Sequence, residues 1–181
     1  MSEVKMESAF HILPHLQAKG PHPAYQDKLA LFGQFVGYWD MQIEFFDKSG
    51  DSLVRMPGRW IFSWVLDGRV IQDVFICADI RDPTRVAEGV RRIGTTLRHY
   101  DPAKDSWRAV YLGATSGDLF VFSVKPVKDE IWLEGRDGEA ALIRWTFSDI
   151  GADHFCWRGT ISEDGGQTWH LEQEMFGQRR A

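Results

Sequence analysis

From residue 38 the chain alternates. Trp39, Met41, Ile43 and Phe45 share one parity, while Asp40, Gln42 and Glu44 share the other, which is the period of a strand with one buried and one solvated face. Similar runs, rich in Trp, Phe, Val and Ile, recur at about 59–66, 69–78, 91–100, 106–113, 118–125, 130–135, 140–148, 154–162 and 167–177. Turn formers separate them: Lys48-Ser49-Gly50-Asp51, Asp67-Gly68, Asp101-Pro102, Ser116-Gly117-Asp118, Asp137-Gly138 and Asp164-Gly165-Gly166. About ten short strands at this spacing predict an all-β antiparallel meander closing into a barrel.

The period changes once. Leu29, Leu31, Phe32, Phe35 and Val36 recur at helical spacing, so 25–36 is expected to be a short amphipathic helix that plugs one barrel mouth. Residues 1–24, with His11, Pro14, His15, Pro21, His22 and Pro23, read as an irregular arm. It wraps either the barrel or a neighbouring subunit, and a homodimer stays open. The expected organisation is therefore an arm over 1–24 and a single barrel domain over 25–181. Charge and Pro83 interrupt the pattern at 79–90, making that stretch the one long loop and a gate to the interior.

Composition narrows the function. With 181 residues, 44% of them hydrophobic, the chain supports one well-buried domain. A net charge of -5 and the lack of a Lys/Arg-rich face argue against nucleic acid and anionic membranes as partners. Cys77 and Cys156 stand apart, without a CxxC pair, and read as reduced residues of a cytoplasmic protein. The N-terminus, with Glu3, Lys5 and Glu7, has no signal-peptide core, and no stretch approaches the roughly 18 apolar residues of a span.

A Gly-x-Trp opening the first strand, Gly37-Tyr38-Trp39, together with Arg179-Arg180 ending the last, resembles the calycin pattern of lipocalins, fatty-acid-binding proteins and nitrobindins. The resemblance spans about 25–181. It is closest to an uncharacterised bacterial lipocalin-like family with a Gly-Arg hairpin, here Gly68-Arg69, and a Tyr-Asp-Pro turn, here Tyr100-Asp101-Pro102. It implies a barrel closed by an arginine packed on that Trp, and it transfers no chemistry. Ser162 to Trp169 also matches the Asp-box of sialidase propellers, S-x-D-x-G-x-T-W. A single copy makes no propeller, so the box reads as a hairpin device in which Asp164 bonds turn amides and Trp169 tucks beneath.

Hairpin arithmetic supplies the candidate chemistry. A two-residue turn at Asp67-Gly68 sets Trp64 opposite Ile71 and Phe62 opposite Asp73, which puts Trp60, Phe62, Trp64, Asp73 and Phe75 on one face. A carboxylate enclosed by aromatic rings is desolvated, which prepares a general acid or base unless a cation pairs with it. A hairpin one residue longer instead turns Asp73 to water. The Tyr100 to Trp107 hairpin sets Arg98 opposite Ala109 and Thr96 opposite Tyr111, so Arg98 and Tyr111 share a face suited to holding an oxyanion. The other parity makes His99 the inward acid-base residue instead.

In the last hairpin, Ile161 opposite Trp169 leaves Arg158, Thr160, His170, Glu172 and Glu174 on a solvated face, with Arg158 paired to Glu172. Arg144 is likewise read as a solvated residue. Nitrobindin-like barrels place a haem ligand on this strand, and the outward register of His170 argues against haem here. Metal-ligand spacing, phosphate loops and a Gly-x-Ser-x-Gly elbow are absent, so neither metal nor cofactor is expected. The leading reading is a barrel binding a small apolar or aromatic molecule through Trp60, Phe62, Trp64, Phe75, Phe120, Phe122 and Trp157. The alternative is a cofactor-free lyase or isomerase in which Asp73 or His99 moves a proton and Arg98 or Tyr111 stabilises negative charge. A barrel filled by its own side chains is the third.

Overall fold

A computed structural model describes residues 12–78, 91–138 and 141–181. The expected gate at 79–90 and the first eleven residues, His11 among them, lie outside the described residues. Ten antiparallel strands form the fold: β1 (Gly37–Phe46), β2 (Ser52–Val65), β3 (Val70–Ala78), β4 (Arg91–Asp101), β5 (Ser106–Gly113), β6 (Leu119–Val127), β7 (Glu130–Asp137), β8 (Ala141–Ser148), β9 (His154–Ser162) and β10 (His170–Arg179). Each pairs with its sequence neighbour and β10 returns to β1, so the barrel is closed. No described helix is long and apolar enough to cross a membrane.

The one α-helix among the described residues, α1 (Gln26–Gly33), is too short to persist in water by propensity alone and is held by what it buries. Phe32 inserts edge-on against Trp107 and Phe147, with ring centroids 5.1 and 6.1 Å away. Phe35, just beyond the helix, meets Phe147 at 4.8 Å and Phe62 at 5.8 Å. The helix therefore plugs one mouth. Part of the arm crosses the same end, where Ala18 N donates to Trp64 O and His22 N to Gly68 O, at 3.1 and 3.0 Å. An added Cβ at Gly68 would strike the backbone of Gly20 to His22, so this crossing requires glycine there.

Closure is secured beside the plug. The Arg179 guanidinium lies 4.2 Å over the Trp39 ring and donates to the carbonyls of Gln34, Val36 and Ala152 at 2.6, 2.8 and 2.7 Å. Trp39 Nε1 donates to Phe35 O at 2.7 Å. The first strand, the last strand, the β8–β9 turn and the end of α1 meet at this point, as the calycin resemblance implies.

Two registers match the arithmetic and one does not. Phe62 opposes Asp73 and Arg98 opposes Ala109. The β2–β3 connection is four residues rather than two, and Leu66, Asp67 and Gly68 take positive φ, yet the same pairs remain opposite. In the last hairpin Ile161 opposes His170, and a bulge between Leu171 and Gln173 then sets Gly159 opposite Gln173. The cause is an extra residue absorbed by the strand. Arg158 consequently pairs with Glu174 at 2.7 Å rather than with Glu172, and His170 leaves the solvated set expected for it. Strand β2 also begins earlier than expected, at Ser52. Among the described residues, Ser52 to Pro57 pair only with β1, and such one-sided pairing tolerates the missing N–H of Pro57.

The Asp-box is a closed turn. Asp164 accepts from the backbone N–H groups of Gln167 and Thr168 at 2.9 Å, and from the hydroxyls of Ser162 and Thr168 at 2.8 and 2.6 Å. Trp169 lies below, with Arg144 sandwiched between its ring and that of Trp132 at 4.3 and 4.1 Å. Half-buried Arg144 is thus a wall clamp rather than a solvated residue.

Removing Arg179 should loosen the closure. Arg179→Ala is expected to cost roughly 2–3 kcal/mol in urea unfolding with an unchanged slope, because charged hydrogen bonds and a cation–π contact go together. The Asp164 turn should show in pH dependence. Hydrogen bonds from Thr168, Ser162 and Gln167 hold its carboxyl far below the ordinary carboxylate range. A depressed carboxyl contributes stability above its unfolded value, and that contribution is lost as pH falls below about 4. The stability gap between wild type and Asp164→Asn should therefore narrow between pH 6 and pH 2.5 in thermal melts.

Candidate functional site

The mouth opposite α1 is where the barrel is hollow. A cleft of about 250 Å³ is lined by Phe45 and Ile143 on one side and by Arg92, Asp118, Asp137 and Glu172 at the rim. Further in lies a cavity of about 50 Å³ among Trp60, Phe75, Tyr111, Phe120 and Trp157. Both are bounded by Arg92, Phe120, Trp145, Trp157 and Gln173, so they form one recess that narrows inward. A dry cavity that holds benzene measures about 150 Å³, so a ring-sized ligand would occupy the cleft and send only its tip into the inner cavity.

The walls are made by ring-over-glycine packing. A Cβ at Gly159 would lie 2.8 Å from Trp157 Cη2, and one at Gly94 would lie 2.6 Å from Tyr111 Cε2. These glycines let the two rings lie against the wall instead of filling the lumen. Trp145 meets Phe122 at 4.5 Å, Tyr111 at 5.1 Å and Trp157 at 5.3 Å, completing an aromatic collar.

Titration at the recess follows burial. Desolvation pushes the Tyr111 hydroxyl above its ordinary value, against the pull of Arg92, so at neutral pH it is a proton-bearing donor. Partial desolvation likewise raises Glu172, reinforced by Asp137 and Glu163 and opposed by His170 and Arg92. Arg92 Nη2 stands 3.7 Å from Asp118 Oδ2. Half-buried His170 lies opposite Ile161 and near enough to Glu172 to act on it, so the outward register that counts against haem does not hold. Among the described residues no His, Cys, Asp or Glu cluster is arranged to hold a metal.

The candidate residues divide into four groups. Trp60, Phe75, Phe120, Trp157 and Tyr111 line the inner cavity. Phe62, Phe122 and Trp64 do not. Phe62 is used by the plug, Phe122 backs Trp145, and Trp64 sits under Gly33 of α1, because strand parity fixes a face but not a height along the barrel axis. Asp73 and Arg98 point inward yet engage each other: Arg98 Nη1 donates to Asp73 Oδ2 at 2.5 Å and Thr96 N to Asp73 Oδ1 at 3.0 Å. The Arg98 guanidinium also faces Phe32 and Phe62, each at 5.1 Å, on the plugged side. The cation that would disarm an enclosed carboxylate is thus present. His99 is exposed on the outer face opposite Arg108, which removes it from the interior.

Sequence reasoning missed Trp145, Gln173 and Arg92. Trp145 alternates with Ile143 and Phe147 and could have been placed inward by parity, whereas Arg92 lies beside the interrupted stretch and carries no pattern.

No family model and no curated protein matches the chain. Several solved structures share its fold. The S-type phycobiliprotein lyase CPES from Guillardia theta aligns at TM-score 0.57 and 10% identity, over 84% of this chain and 92% of its own. Rv2717c from M. tuberculosis aligns at TM-score 0.56 and 13% identity, over 89% of this chain and 99% of its own. At these identities the likeness establishes the fold alone, a closed antiparallel barrel.

The buried ion pair should be structural. Arg98→Met is expected to destabilise by about 3–5 kcal/mol in chemical denaturation, since it strands a buried carboxylate, and Asp73→Leu combined with Arg98→Met should recover much of that loss.

Proposed function

We propose that this protein binds a small, largely apolar, aromatic molecule that enters through the mouth opposite α1. The observation that carries this reading is the graded recess: an aromatic collar backed by glycines, open to solvent through a cleft of about 250 Å³ and ending in a cavity of about 50 Å³. The filled-barrel reading accounts for the plugged half, where Phe32, Phe35, Phe62 and Phe147 occupy the lumen, and not for the other half. A cofactor-free lyase or isomerase would require a proton carrier at the recess. Asp73 is held by Arg98 and His99 faces outward, which leaves Tyr111 in the inner cavity and the rim carboxylates Asp118, Asp137 and Glu172 for that role.

The uncharged fluorophore N-phenyl-1-naphthylamine tests the reading. It should bind near one equivalent and quench Trp emission. Gly159→Ala pushes Trp157 toward the lumen and should weaken binding by about tenfold with the fold retained by circular dichroism. Trp64→Ala, at the plugged end, should lower stability and leave the affinity of the folded protein unchanged. Absence of binding, or binding indifferent to Gly159→Ala, would reject the recess as the site.

A further inference from the structure

Two tryptophans that line the recess carry indole donors with no partner among the described residues. Trp60 and Trp157 are 3% and 4% exposed, and the Nε1 of each is buried without a hydrogen-bond acceptor in the described protein. Indole nitrogen can only donate. Three other indoles have acceptors: Trp39 donates to Phe35 O, Trp132 to Glu130 Oε2 and Trp169 to Gly166 O. The two unmatched indoles meet edge-to-face, with centroids 6.2 Å apart and planes at 82°, and both line the inner cavity. A third buried donor without a partner, Arg92 Nε, borders the same cavity.

The charge distribution decides which acceptor fits. Among the described residues the rim carries Asp118, Asp137 and Glu172 around one cation, Arg92, which already faces Asp118. An anion would have to pass these carboxylates, and an ammonium group would leave both indole N–H groups unmatched. A neutral oxygen meets neither obstacle. Tyr111, protonated at neutral pH, adds a hydroxyl at the same depth.

We propose that the ligand is a conjugated carbonyl compound, an aryl ketone, aldehyde or quinone, that enters oxygen first and is read by the indole N–H groups of Trp60 and Trp157. The proposal rests on the recess being the binding site and adds the chemical class of its occupant. Leaving a buried donor unpaired is costly, so a ligand that supplies the acceptor gains over its hydrocarbon isostere.

Three probes of one shape separate the outcomes: 2-acetonaphthone, 2-ethylnaphthalene and 2-naphthoate, titrated at pH 7 into wild-type protein carrying ¹⁵N-labelled tryptophan. The ketone should bind about tenfold more tightly than the hydrocarbon and should shift the Nε1–H resonances of Trp60 and Trp157, which the hydrocarbon leaves in place. In Trp60→Phe and Trp157→Phe that advantage should fall below about threefold. Where a variant does not fold, the wild-type resonance shifts decide. Equal affinity for ketone and hydrocarbon overturns the acceptor proposal and leaves the recess standing. Tighter binding of 2-naphthoate than of the ketone overturns the neutrality of the acceptor. Failure of all three to bind rejects the recess itself, and the acceptor with it.

Discussion

The stack of Arg179 on Trp39 is the joint on which the other features depend. A sheet of ten strands has two edges, and here the first and last strands cover each other only if their ends meet in register. Arg179 does more than pair strands. Its three carbonyl acceptors lie on the chain leaving α1 and on the turn before β9, so one guanidinium fixes the seam and the segment that carries the plug. Trp39 in turn donates to Phe35 O, which sets the depth at which Phe35 enters the lumen. Closure and plugging are therefore one event.

That coupling divides the interior. On the plugged side the lumen is filled by rings from α1 and from the strands, and Arg98 is held among them, its charge matched by Asp73 and faced by Phe32, Phe62 and Phe147. A buried pair of this kind adds little net stability over an apolar pair, but each partner obliges the other to stay. It therefore behaves as a floor. Thr96 belongs to both levels, since its N–H binds Asp73 while its side borders the cavity above. Everything on the far side of that floor is reached from the opposite mouth.

Most of this architecture was legible in the sequence, and the parts that were not share a physical cause. Alternation in β1 and the punctuation between runs identify strands because a sheet with one wet face has a period of two, and the sum of residue numbers across a hairpin fixes partners such as Phe62 and Asp73 whether the loop holds two residues or four. The β9–β10 hairpin broke that rule because a bulge adds a residue that no pattern announces, and it displaced Glu172 and His170 together. Parity was also silent on height. Trp64 and Trp60 share a face, yet one lies under α1 and the other in the recess, because each step of two residues carries a side chain several ångströms along the barrel. Whether Asp73 was a reactive carboxylate or half of an ion pair depended on Arg98, a residue twenty-five positions away whose inward face was itself undecided.

The same reasoning explains why the hollow lies where it does. A barrel of this size is filled whenever its inward side chains are large and project straight into the lumen. Here Trp157 and Tyr111 are large, but each has a glycine beside it and lies along the wall, while Gly135 gives Phe122 similar room on the next sheet segment. Small and large residues placed side by side on one wall convert volume that would have packed the centre into lining. The conversion carries a cost: rings flattened against a wall bring their polar edges into an apolar enclosure, and the indole nitrogens of Trp60 and Trp157 end without acceptors. On the plugged side the indole that fixes closure has its acceptor in Phe35 O. Arg98 Nε and Nη2 on the plugged side are unmatched too, but they sit among packed rings, whereas Trp60 and Trp157 border open space, where an occupant can supply what packing does not.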